Sequence, residues 1–184
     1  MAKILIVYDS KTGNTEKMAR AVAEGAGQVK NIETTVKKVD KTSLDDLCSS
    51  DGIIIGSPTY YGQMSGKLKT LIDQSVKVHG KLEGKVGAAF TSSGGTASGA
   101  ETTLMSILQA MLIHGMIIQG RHDHKHYGAA ATDPPSTKDI ASCKELGKRV
   151  ANLVTRLKTG SRANIGLNPA EQRKPLSKPR KGSA

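Results

Sequence analysis

The chain has 184 residues, a formal net charge of +11, no tryptophan and two cysteines. That length supports one domain with a full hydrophobic core and argues against two. No apolar run approaches the ~20 residues that cross a bilayer, so a membrane span is not expected. Cys48 and Cys143, far apart in the chain, suit a reducing compartment without a disulfide.

The first apolar run, residues 4–8, is near-continuous, as in a parallel strand buried on both faces. That apolar stretch is too short for a signal peptide, so a cytoplasmic location is expected. The hydroxyl-rich turn Ser10-Lys11-Thr12-Gly13-Asn14-Thr15 follows, then a helical stripe of Met18, Ala21, Val22 and Gly25. A strand–loop–helix turn of this kind offers hydroxyls, backbone N–H groups and the positive end of a helix to a phosphate monoester. The spacing matches neither the dinucleotide fingerprint nor a Walker A loop.

Residues 33–39 read as an amphipathic edge strand, and Ser43-x-x-Asp46 as the capped start of a short helix. A third strand, 52–56, is followed by Ser57-Pro58-Thr59-Tyr60-Tyr61-Gly62 and a helix marked by Met64, Leu68, Leu71 and Ile72. A fourth strand, 86–90, runs into Thr91-Ser92-Ser93-Gly94-Gly95-Thr96-Ala97 and a helix carrying Leu104, Leu108, Met111 and Leu112. A short fifth strand is expected at 116–118. The last helix begins after Pro134-Pro135 with Ser136-x-x-Asp139 and shows Leu146, Val150, Leu153, Val154 and Leu157 on one side.

This alternation predicts an α/β fold: a three-layer, doubly wound, parallel five-stranded sheet of order 2-1-3-4-5. The first and last helices should cover one face and the middle three the other. Ligands of such sheets bind beyond the carboxyl ends of the strands, at the switch point between the first and third. The expected domain is 1–160. Residues 161–184 carry six basic residues, one acid and three prolines, and read as a basic, loosely draped tail. Without interleaved aromatics, nucleic acid is not the expected partner.

The turn Ser10-x-Thr12-Gly13-Asn14-Thr15 resembles the FMN-phosphate loop of flavodoxins. The runs 56–64 and 90–95, with Glu101-Thr102-Thr103 and His114-Gly115-Met116, are similar to the WrbA-type NAD(P)H:quinone oxidoreductases of that superfamily. The resemblance spans about residues 2–157 and implies FMN held by Ser10 to Thr15, by Thr59 to Tyr61 and by Ser92 to Ala97. It implies NAD(P)H and a quinone-like acceptor as partners, and a homo-oligomer. The chain departs from the pattern in being short between Val39 and Asp51 and in lacking tryptophan. The alternative is a flavodoxin-type electron carrier serving a redox protein partner. Three of only five aromatics, Tyr60, Tyr61 and Tyr127, are expected at the flavin end, where flat rings can stack. His122-Asp123-His124-Lys125-His126 alternates like a ligand set, but Lys125 interrupts it and no metal is expected. The basic run 121–126 is expected to border the flavin.

Overall fold

The computed structural model describes residues 1–163, so the expected tail lies outside the described residues apart from the final helical turn. The strands are β1 (Ala2–Tyr8), β2 (Ile32–Lys38), β3 (Gly52–Pro58), β4 (Val86–Ser93), β5 (Ile117–Ile118) and β6 (Ala129–Thr132). The helices are α1 (Asn14–Gly27), α2 (Leu44–Ser49), α3 (Gly66–Gln74), α4 (Ala100–Ile113) and α5 (Thr137–Ala163). The sheet is parallel with order β2-β1-β3-β4-β5, as the alternation of elements predicted.

Side chains alternate across the sheet and feed two cores. Ile4, Ile6, Ile54, Val86 and Phe90 pack beneath α1 and α5 with Met18, Val22, Leu146 and Val150. Leu5, Val7, Ile53 and Ile55 face α2, α3 and α4 with Leu47, Leu68, Leu104 and Ile107. Each buried aliphatic side chain contributes about 1.5–3 kcal/mol, which explains the run of β-branched residues on both faces of the central strands. The two cysteines fall in opposite layers, Cys143 on α5 and Cys48 on α2, and both are free. Both predicted caps form: Ser43 with Asp46 starts α2, and Ser136 with Asp139 starts α5.

One strand departs from expectation. The fifth position in the sheet is shared by β5, which pairs with Val86 and Gly87, and β6, which pairs with Phe90 through Ser93. Residues 119–128 leave the sheet between them. The sequence Ala129-Ala130-Ala131 carries no β-branched or aromatic signal; these alanines are strand because of the edge they dock on.

The layer over the first core depends on two close backbone approaches. A Cβ on Gly25 would lie 1.8 Å from the Lys144 carbonyl oxygen, and one on Gly147 would lie 2.0 Å from that of Val22. Thus α1 and α5 cross where each presents a glycine to the other's backbone. Gly147→Ala should therefore destabilise the protein by about 1–3 kcal/mol, overriding alanine's higher helix propensity. Gly27, on α1 with open space around it, is the control: Gly27→Ala should be neutral or stabilising by up to about 1 kcal/mol. Urea denaturation of the two variants checks both.

Candidate functional site

Three loops meet at the carboxyl ends of β1, β3 and β4, and hydroxyls lock them together. The β3–β4 ladder continues to the pair Pro58–Ser92, after which the Thr59 N–H donates to the Ser92 carbonyl at 2.8 Å. The Thr91 hydroxyl, wholly buried, donates to the Ser57 carbonyl at 2.7 Å and so accepts from the Thr59 hydroxyl at 2.9 Å. The Ser57 hydroxyl, also buried, accepts the Ser65 N–H at the start of α3. Thr15 reaches Ser92 from the first loop, hydroxyl to hydroxyl, at 2.8 Å. Ser93 is spent on the Gly95 and Ala131 carbonyls. Of the predicted site residues, Thr15, Ser57, Thr91 and Ser93 thus form the frame beneath the loops, with Ser92 joining all three.

The outward groups are different ones. Lys11, Thr12 and Gly13 are exposed, with Asn14 half-buried, and the Gly13 N–H folds back on the Ser10 hydroxyl at 3.1 Å. Gly13 sits at the N-cap of α1 with φ of 92° and supplies no side-chain cap. The first bond of the helix comes from the Lys17 N–H. The N–H groups of Asn14, Thr15 and Glu16 have no partner among the described residues, and the uncapped first turn of a helix is a ready donor set for an anion.

In the second loop, residues 60–63 make a tight turn, Tyr60 and Gln63 exchanging two backbone hydrogen bonds of 3.0 Å. Tyr61 and Gly62 both have positive φ, 51° and 72°, the signature of a type I′ turn. For a tyrosine this conformation costs about 1–2 kcal/mol. The ring gains nothing from the fold in return, since Tyr61 is fully exposed and Tyr60 is 43% exposed. In the third loop, Gly94 and Gly95 face open space and the N–H groups of residues 94–97 make no hydrogen bond among the described residues. Ala97 has φ of 55°. Gly99, at φ of 92°, leaves no room for a side chain against the Gly62 backbone, so the second and third loops touch there.

Two expectations about the outer edge change. Tyr127 precedes β6, whose first residue pairs with Phe90, so its backbone is level with the middle of β4 and not with the loop after Ser93. The segment beside that loop is Asp133–Pro135, pinned by the Asp133 N–H on the Ser93 carbonyl at 2.8 Å. It is invisible in the sequence because β6 was not expected. The basic run is also largely neutralised: Arg121 pairs with Asp123 and Glu145, and Lys125 with Asp139 at 2.8 Å. Burial alone would raise the Asp139 carboxyl, but the Lys125 ammonium and the Ser136 hydroxyl and N–H outweigh it and hold the carboxyl below its ordinary value.

An uncapped helix start, an exposed pair of tyrosines and a glycine loop with unused N–H groups are the features that a flavodoxin-like mononucleotide site requires. Residues 2–123 match the family described as NADPH-dependent FMN reductase, and the chain belongs to it. It is 40% identical over 162 residues to a flavodoxin of Aquifex aeolicus, covering 84% of this chain and 88% of that one. It is 38% identical over 191 residues to an NAD(P)H dehydrogenase (quinone) of Archaeoglobus fulgidus, covering 85% and 100%. The crystal structure of a flavodoxin, WrbA-like protein from Agrobacterium tumefaciens superposes with a TM-score of 0.73 at 30% identity, covering 85% and 99%. FMN is the cofactor of this class, and the residues fit it. The uncapped end of α1 with Thr12 suits a terminal phosphate dianion, and the unused N–H groups of 94–97 suit the polar edge of a ring system.

The frame and the outward groups should respond differently to mutation. Thr91→Val strands the Ser57 carbonyl and the Thr59 hydroxyl, so it should lower the stability of the flavin-free protein by about 1–3 kcal/mol in urea. Acid should act through Asp139. Its low folded pKa gives stabilisation that is present above the unfolded value of about 3.9 and lost as pH falls through the folded one. Asp139→Asn should therefore flatten the drop in urea midpoint between neutral pH and pH of about 3.

Proposed function

We propose that the protein is an FMN-dependent oxidoreductase that takes electrons from NAD(P)H and delivers them to a quinone or similar planar acceptor. The observation that carries this reading is Tyr61, a fully exposed ring held in a strained turn at the three-loop face. Exposed aromatic surface with no partner in the fold is a surface for a ligand, and a flat ring suits a flat one. The relative named as a quinone dehydrogenase, matched over its whole length, supports the same reading.

In this proposal Ser10 to Thr15 bind the phosphate, with Thr12 and the N–H groups of α1 donating and Lys11 adding positive charge. Thr59, Tyr60, Tyr61 and Gly62 flank the ring on one side, while Gly94, Gly95, Thr96 and Ala97 offer N–H donors to its polar edge. Ser57, Pro58, Thr91, Ser92 and Ser93 hold those loops in place, and Asp133–Pro135, pinned to the Ser93 carbonyl, borders the site from the outer edge. When bound, FMN accepts a hydride and passes electrons on; no side chain is required as a covalent catalyst. The open face leaves the ring accessible to small substrates from solvent.

A second reading is favoured by the relatives named flavodoxin, at 40% and 34% identity: an electron carrier that docks on a redox protein. Steady-state oxidation of NADH and NADPH by the FMN-loaded protein, with and without benzoquinone, separates the two. Sustained nicotinamide oxidation that requires the quinone supports the reductase, and its absence hands the site to the carrier reading. The binding assignment has its own test. Thr12→Val removes a hydrogen bond to a charged group, about 1.5–3 kcal/mol, so FMN should bind roughly tenfold to a hundredfold more weakly by flavin fluorescence titration. Unchanged affinity would remove the first loop from the site.

A further inference from the structure

Eight described cations, Arg20, Lys37, Lys67, Lys69, Arg121, Lys125, Lys144 and Lys158, make ion pairs. The outer stripe of α5 gathers three that do not around one hollow. Lys148, Arg149 and Arg156 lie along it with Asn152 between them, and Gln119 faces them from the end of β5. Among the described residues none of these five side chains makes a hydrogen bond or an ion pair. They line a hollow of about 260 Å³ together with Leu153 and Glu145, whose carboxylate is already engaged by Arg121. The Arg149 Nη1 is shut off from solvent and has no partner. Burial, and next to it the Arg121 charge, makes its guanidinium less willing to hold a proton than an ordinary arginine, with Glu145 and Asp123 acting the other way.

A buried guanidinium nitrogen without an acceptor is costly, and natural proteins rarely leave one so. Here it shares a concave wall with two further free cations and two amides. Like charges within one helical stripe repel, and nothing in the fold requires them together. An anion seated among them would relieve both penalties.

We propose that this hollow on α5 is a binding site for a small phosphate-bearing anion, held by Arg149 with Lys148, Arg156, Gln119 and Asn152. Its size falls just below the roughly 300–1,000 Å³ of organic-ligand pockets, which suits a phosphate or the head of a phosphate ester and not a whole dinucleotide. It is separate from the flavin face. Gln119 follows the strand that pairs with Gly87, and the third loop follows Ser93, six residues or about 20 Å along β4. The planar guanidinium of Arg149 can grip two phosphate oxygens at once, while the lysine supplies a point charge and the amides supply neutral donors.

The test is titration calorimetry of the full chain with inorganic phosphate and, separately, 2-glycerophosphate, at ionic strength matched with sodium chloride. It is run on the FMN-saturated protein, so that the first loop is filled, and on the flavin-free Thr12→Val variant. One saturable site in both preparations is expected, at least tenfold weaker in Arg149→Gln and in the exposed double variant Lys148→Gln with Arg156→Gln. Both variants should keep full FMN affinity. Binding of inorganic phosphate alone assigns the site to the free ion, and binding of both probes assigns it to phosphate groups in general. No saturable heat with either probe, or unchanged affinity in both variants, overturns the proposal. Because the readout follows the α5 side chains, loss of FMN binding by the native protein would overturn the flavin reading while leaving this one standing.

Discussion

The arrangement at the carboxyl end of the sheet depends on Ser92. Its carbonyl receives the Thr59 N–H and its hydroxyl meets that of Thr15, so one residue of β4 holds both the second and the first loop. The hub exists because the β3–β4 ladder carries on to Pro58–Ser92. Proline, which has no N–H to give, can end a strand there without leaving a broken donor. The site is therefore an outgrowth of the sheet. Its loops inherit the rigidity of central parallel strands buried on both sides, which is how polar loops with little apolar contact of their own can hold a fixed geometry.

The same logic explains which hydroxyls remain for a ligand. A loop rich in serine and threonine reads in sequence as a uniform donor set, and the motif Ser-x-Thr-Gly-Asn-Thr gave the first loop clearly. Burial then divides the hydroxyls. Thr15, Ser57 and Thr91 turn inward and are engaged by the Ser92 hydroxyl, the Ser65 N–H and the Thr59 hydroxyl, whereas Thr12 and the first amides of α1 have no partner among the described residues. Sequence cannot make that division, because it turns on the strand pleat and on how far the ladder extends. The strands run to Pro58 and Ser93, and their ladder to the pair Pro58–Ser92, past the apolar stretches that end at Gly56 and Phe90.

Strand order, both helix layers and both capping boxes were legible because they rest on period, apolar clustering and local hydrogen bonding. The split fifth strand was not. Three alanines have no intrinsic preference for extended structure, and their state is decided by the open edge of β4. With β6 paired as it is, Tyr127 lies level with the middle of β4, and Asp133–Pro135 is the segment beside the third loop. The charge of the run 121–126 was misjudged for a related reason. Its acidic partners Glu145 and Asp139 lie on α5, and only the fold brings them to Arg121 and Lys125.

The turn at 60–63 shows how strain fixes what a flavin would meet. With Tyr61 and Gly62 both at positive φ, the peptide between them is held in the type I′ orientation. Rotating that peptide by half a turn would produce a type II′ turn, whose first central position is reserved in practice for glycine. Tyr61 occupies that position. The tyrosine thus tolerates the left-handed region but blocks the alternative, and the Tyr61 carbonyl and Gly62 N–H keep one orientation. Contact between Gly62 and Gly99 adds a second restraint from the third loop. A glycine at 61 would permit both orientations at little cost. The ring that is exposed for a ligand and the backbone that is denied freedom belong to the same residue, so substrate contact and loop rigidity are joined there.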